Sequence, residues 1–186
     1  RQGMIYYGSD LLSAGLSQTR IRARELRVSD RVFCVQSDIT VAPIFKENSL
    51  DIVVAHFSIY TIHINDKRQQ ALKNIYRVLK PGGLLIVCCP SENYDAGKII
   101  EESCEFLRAR KGLLQTAIKR IFFYPFTKGM GLNFIQKQLQ SGQWTGFTRE
   151  GLAEELKRAG FDIGHSETIY AGGAYLICGH NTARSG

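Results

Sequence analysis

The sequence predicts an α/β fold, a doubly wound and mostly parallel sheet with helices on both faces and an antiparallel strand at the carboxy-terminal end. Three observations carry this. Short apolar, β-branched runs alternate with longer segments of helical period. The stretch from Asn48 to Pro90 reads as strand, helix, strand, and parallel neighbours need such a crossover. The last two apolar runs are parted only by Gly172-Gly173, which makes them an antiparallel hairpin.

Taken in order, Met4-Ile5-Tyr6-Tyr7 is a strand-like run ending in Gly8-Ser9-Asp10. Leu12 to Leu26 follows as a helix with Leu12, Leu16, Ala23 and Leu26 apolar, and Val32 to Val35 is the next strand, ending at Gln36-Ser37-Asp38. After a loop through Pro43, Leu50 to Ala55 forms the third strand. Asp66 to Leu79 is a helix with Asn65 or Asp66 as cap and Leu72, Ile75, Tyr76 and Leu79 along one face. Lys80 offers a cation to its carboxy end, and Pro81-Gly82-Gly83 turns the chain into the strand Leu84 to Cys89. Lys98 to Arg110 is helical. Thr148 caps a further helix that closes at Gly160, and Ile163 to Ala171 with Ala174 to Cys178 forms the hairpin. The polar tail from Asn181 is expected to fray.

The chain of 186 residues suits a single domain, and it holds no apolar run long enough to span a bilayer. Five cysteines, Cys34, Cys88, Cys89, Cys104 and Cys178, lie mostly in strand-like runs and read as reduced core residues, which points to the cytoplasm. Neither a CxxC pair nor a His/Cys cluster with zinc spacing occurs, so no metal is expected. Asp10 and Asp38 each directly follow a strand, at the carboxyl edge where open α/β sheets bind ligands. A carboxylate there can accept from both hydroxyls of a ribose, although Asp is also a common turn residue.

Tyr7-Gly8-Ser9-Asp10-Leu11, Gln36-Ser37-Asp38-Ile39, the run Leu50 to His56, and Arg77 to Val87 with its Lys-Pro-Gly-Gly together resemble the Rossmann-like (class I) S-adenosylmethionine-dependent methyltransferases. Phe147 to Leu152 and Ala159-Gly160-Phe161 continue the likeness. The resemblance implies that S-adenosylmethionine is the cofactor and S-adenosylhomocysteine the product. It places Asp10 on the ribose hydroxyls, Leu11 behind the adenine, Asp38 with Ile39 at the adenine amino group, and Ala55 and His56 along the methionine end. The family's first strand and glycine-rich loop should precede Met4, between the strands ending at Asp10 and Ala55, and are not in this sequence. The expectation is therefore one methyltransferase-like domain over 1–186, incomplete at its amino end, with an acceptor-side lid insertion at 93–147.

That insertion carries the charge. Between Glu105 and Glu150 there is no acid, while eight bases, among them Lys119 and Arg120, account for the formal net charge of +7. A basic, aromatic segment over 108–149 suits an anionic acceptor, the phosphates of RNA, or a lid helix with solvated lysines. Transfer of a sulfonium methyl is an in-line displacement, so alignment dominates and a base is needed only where the acceptor must lose a proton. His56 and His63 are the candidate bases, and Tyr60 and Tyr124 can orient an acceptor; against these stand a cofactor-wall role for His56, a loop or helix-cap role for His63 and lid packing for Tyr124. The reading is methyl transfer to a small or medium-sized acceptor. An RNA methyltransferase, a noncatalytic methyltransferase-like module and, most weakly, a dehydrogenase stand as alternatives. The Asn-Pro-Pro-Tyr motif of base-directed enzymes is missing after Val54, and no dinucleotide glycine fingerprint is present.

Overall fold

The computed structural model describes residues 3–41, 44–111 and 131–183, with the side chains of 107–111 outside the description. Strands β1 (Tyr6–Asp10) and β2 (Val32–Gln36) pair in parallel across helix α1 (Ser13–Glu25). Strands β3 (Leu50–His56) and β4 (Leu79–Pro90) pair in parallel across α2 (Asn65–Val78). Helices α3 (Ala96–Lys111), α4 (Asn133–Gln140) and α5 (Arg149–Arg158) follow, then β5 (Phe161–Ile169) and β6 (Ala174–Asn181). The second sheet has the order β3-β4-β6-β5, and β6 is antiparallel to both of its neighbours. The expected hairpin and antiparallel carboxy-terminal strand are present.

Among the described residues the strands fall into two groups, β1-β2 and the four-stranded sheet in which β3 is an edge. The alternation of β3 shows the consequence. Ala55 is buried and Val53 packs on the core, while Ile52 and Val54 on the opposite face are 54% and 63% exposed. The main core lies where Leu72 and Ile75 of α2, Leu85 and Val87 of β4, Leu152 and Leu156 of α5, and Ile177 of β6 meet, all nearly inaccessible. Each such side chain stabilises the fold by about 1.5–3 kcal/mol on burial.

Several local expectations are corrected. β1 begins at Tyr6 rather than Met4, and Met4 is 78% exposed. Leu12 and Leu26 flank α1 as exposed cap positions, leaving Leu16 and Ala23 as its buried residues. Helix α2 begins at Asn65, with Ile64 at the cap position and no side-chain cap. Its carboxy end is not served by Lys80, whose Nζ lies 2.8 Å from Asp51 across the sheet. β4 instead starts at Leu79, directly after the helix, and the Lys-Pro-Gly-Gly segment is an irregularity within the strand, opposite the register shift between Leu50 and Ile52. Glycine is required there twice. Gly82 has φ +77°, and a Cβ on Gly83 would come within 2.8 Å of the Lys80 carbonyl.

The tail does not fray at Asn181, which is buried at the end of β6. Its side-chain amide donates to the carbonyls of Leu79 at 2.8 Å and Tyr76 at 3.3 Å, so it satisfies the end of α2 that Lys80 leaves open. Thr148 behaves as expected, its hydroxyl accepting from the Gly151 amide at 3.0 Å. Replacing Thr148 by Ala should lower stability by about 1 kcal/mol in urea denaturation, the ordinary cost of an amino-terminal cap. An unchanged midpoint would mean that the cap contributes nothing.

Candidate functional site

Parallel pairing of β1 with β2 brings their carboxyl ends side by side, with Asp10 opposite Gln36. The two following loops are then tied together. The Ser37 amide donates to the Asp10 carbonyl at 3.0 Å, the Gln36 side chain donates to the Leu11 carbonyl at 2.9 Å, and the Ser9 and Ser37 hydroxyls lie 2.7 Å apart. Asp10 and Asp38 thus share one rim, the arrangement that the sequence spacing implied.

Each carboxylate is held by its own turn. Asp10 Oδ1 accepts from the Leu12 amide at 2.9 Å, at the start of α1. Its other oxygen lies where a side chain on residue 15 would begin, 2.5 Å from the ideal Cβ, so Gly15 is what lets this carboxylate lie over the first turn. Asp38 Oδ1 accepts from both the amide and the hydroxyl of Thr40, at 2.8 and 2.7 Å. Those two bonds, with the Lys67 charge, hold its carboxyl below the ordinary value. Asp38 is therefore an acceptor throughout the neutral range.

The other half of the site belongs to β3. Ala55 is buried and His56 is exposed at the strand's carboxyl end, and the Phe57 amide donates to the Cys88 carbonyl at 2.9 Å. Asn74 links this half to the first. It is buried on α2, and its amide donates to the Ile39 carbonyl at 2.7 Å while Gln70 donates to its oxygen. Ile39 itself packs on the main core. Asn74→Ala should cost about 1–2 kcal/mol, because a partly buried carbonyl loses its donor. Hydrogen exchange should rise at residues 38–41 first, and uniform protection there would show that the tether is not needed.

His63 lies exposed in the loop before α2, and its carbonyl accepts from Arg68 at 3.3 Å. Tyr60 is almost wholly buried, and burial pushes its phenol up to about 12, so it is a neutral hydroxyl rather than a base. Burial likewise pushes the Cys88 thiol up to about 11, and Cys89 further, which removes both as nucleophiles. Tyr124, Lys119 and Arg120 lie outside the described residues, as does much of the basic segment. Among the described residues no cluster of His, Cys, Asp and Glu could hold a metal, and no helix is long and apolar enough to cross a membrane.

The most buried ion pair among the described residues escaped sequence reasoning. Arg68 and Glu155 are 5% and 6% exposed and form a two-pronged pair at 2.7 and 2.6 Å. The same guanidinium donates to the carbonyls of Ile62 and His63 and to Thr145, and it lies over the Phe147 ring. It therefore fixes the loop between β3 and α2 against α5. The signal was available, since Arg68 precedes Leu72 and Ile75 on the apolar face of α2 at helical spacing.

Two acids on adjacent strand tips stand at the carboxyl edge where open α/β sheets bind their ligands. A family model described as a methyltransferase domain matches residues 1–87. A ubiquinone/menaquinone biosynthesis C-methyltransferase, UbiE, of Haemophilus ducreyi is 39% identical over 79 residues, covering 42% of this chain and 29% of that protein. The chain thus matches under a third of the length of such curated relatives. Among solved structures, a SAM-dependent methyltransferase of Methanosarcina mazei superposes with a TM-score of 0.60 at 16% identity, covering 96% of this chain and 82% of that one. The [4+2]-cyclase SpnF superposes with a TM-score of 0.62 at 17% identity, covering 95% and 66%. Residues 1–87 thus resemble a methyltransferase domain, and the chain shares its fold with S-adenosylmethionine-dependent methyltransferases of known structure.

Proposed function

We propose that this chain binds S-adenosylmethionine along the rim of β1, β2 and β3 and directs its methyl group to a small or medium-sized acceptor. The observation that supports this best is the pair of strand-tip carboxylates, Asp10 and Asp38, tied by the Ser37 amide. Asp10 would accept from the ribose hydroxyls with Leu11 behind the adenine, and Asp38 with Ile39 would meet the adenine amino group. The space left by Gly15 and the ionised state of Asp38 fit such a group. S-adenosylmethionine supplies an electrophilic methyl on a sulfonium. Ala55 and His56 would line its methionine end, with His56 placed to take a proton from the acceptor and His63 the second candidate. Lys119, Arg120 and Tyr124, within the proposed lid at 93–147, would face the acceptor.

The curated relatives are by name C-methyltransferases, which supports a small acceptor over RNA. The unpaired thiols suit a reducing cytoplasm. SpnF, a [4+2]-cyclase, shares this fold, so the fold alone leaves the reaction open. Incubating the full chain with methyl-labelled S-adenosylmethionine and a fractionated cell extract tests the reading. Label should appear in the low-mass fraction. Label in RNA would move the acceptor to a nucleic acid, and bound cofactor with no label anywhere would favour a noncatalytic module.

A further inference from the structure

Phe57 and Tyr170 are two of the few non-glycine residues with positive φ, at +50° and +54°, and they touch each other. Such backbone is strained for bulky side chains and persists where the surroundings impose it, often at ligand sites. Both residues sit at the carboxyl ends of the strands. Phe57 directly follows β3, and Tyr170 opens the β5–β6 turn, where Ala171 and Gly172 also have positive φ. Ser91, wholly buried after β4, pins that turn by donating from its amide to the Gly173 carbonyl at 2.9 Å and from its hydroxyl to the Gly172 carbonyl at 2.8 Å.

This geometry presents rings beside His56. The Tyr170 hydroxyl lies 3.3 Å from His56 Nε2, and the Phe57 ring centroid is 5.0 Å from the imidazole and 5.9 Å from Tyr170. Phe57 also meets Tyr60 edge-on at 5.8 Å, and Tyr60 meets Trp144 at 5.1 Å. Tyr170 keeps 42% of its surface exposed. Phe57 also packs against the cluster of Tyr94, Ala96 and Ile99, in which Tyr94 is 7% exposed and its hydroxyl is buried with no hydrogen-bond partner among the described residues. A buried hydroxyl of that kind costs about 1–3 kcal/mol unless something accepts from it.

We propose that Phe57 and Tyr170 form the wall of the acceptor site, for a planar aromatic acceptor bearing a hydroxyl or carbonyl oxygen. The rings offer edge-to-face and offset contacts that a saturated ring cannot return. The His56–Tyr170 pair supplies the polar contact for the oxygen. Tyr170 acts as a specificity residue, and His56 is the group placed to hold the acceptor's proton. The inference rests on the methyltransferase reading for the word acceptor, but the aromatic site itself is separately measurable.

The test is calorimetry on the full chain with 2-naphthol and its saturated analogue, decahydro-2-naphthol, alongside S-adenosylhomocysteine. The aromatic probe should bind about five- to tenfold more tightly than the saturated one, the return expected from ring contacts. Phe57→Ala and Tyr170→Ala should abolish that preference. Tyr170→Phe, which keeps the ring, should retain most of it and weaken both probes alike. Equal binding of the two probes to a chain that binds S-adenosylhomocysteine, or a preference that survives both alanine variants, overturns the inference. Failure of S-adenosylhomocysteine with the naphthol preference intact leaves the aromatic site standing and defeats the methyltransferase reading alone.

Discussion

Glu155→Ala should lower stability by about 3–5 kcal/mol, the cost of leaving a buried guanidinium without its counter-charge. A domain of this kind holds only about 5–15 kcal/mol in total, so the variant should denature at a much lower urea concentration. The loss falls on more than the pair. Arg68 also donates to the carbonyls of Ile62 and His63, and a guanidinium pulled toward water would release the loop that follows His56. The double variant Arg68→Met/Glu155→Leu separates the two effects. It removes both charges at similar volume, so it should recover much of the stability. The loop carbonyls would still lack their donor, so exchange protection at residues 59–64 should stay low. A single variant within 1 kcal/mol of wild type would contradict the burial of this pair.

Asp10→Ala should weaken S-adenosylhomocysteine by about 1.5–3 kcal/mol, roughly 10- to 150-fold, the range for hydrogen bonds to a charged group. The carboxylate also accepts from the Leu12 amide at 2.9 Å, so part of any loss could come from the start of α1. Asp10→Asn keeps an acceptor for that amide and removes the charge. Its affinity should still fall severalfold while its unfolding midpoint stays close to wild type. Loss of stability without loss of affinity would make Asp10 a helix-start residue and no ligand group.

Much of the fold was legible because burial leaves a periodic trace. The strand-helix-strand unit, the Thr148 cap and the Gly172-Gly173 hairpin each rest on local chemistry that the tertiary structure only confirms. The acid-tipped strands were legible for the same reason, since Asp10 and Asp38 follow their strands directly. What escaped involves contacts between distant residues. Lys80 was read as serving the helix it follows, but its charge answers Asp51 on the neighbouring strand. The helix end is satisfied by Asn181, more than a hundred residues away, which no local pattern reveals. Tyr170 reads in sequence as an ordinary strand residue, and only the Ser91-pinned turn brings it to His56.

Calorimetric titration of S-adenosylhomocysteine into the full chain, with NAD titrated in parallel, bears on the central claim most directly. One molecule of S-adenosylhomocysteine should bind per chain, with adenosine competing for the same site and NAD giving no comparable heat. No binding of S-adenosylhomocysteine by a folded chain, or tighter binding of NAD, would contradict the assignment of the Asp10 and Asp38 rim to this cofactor.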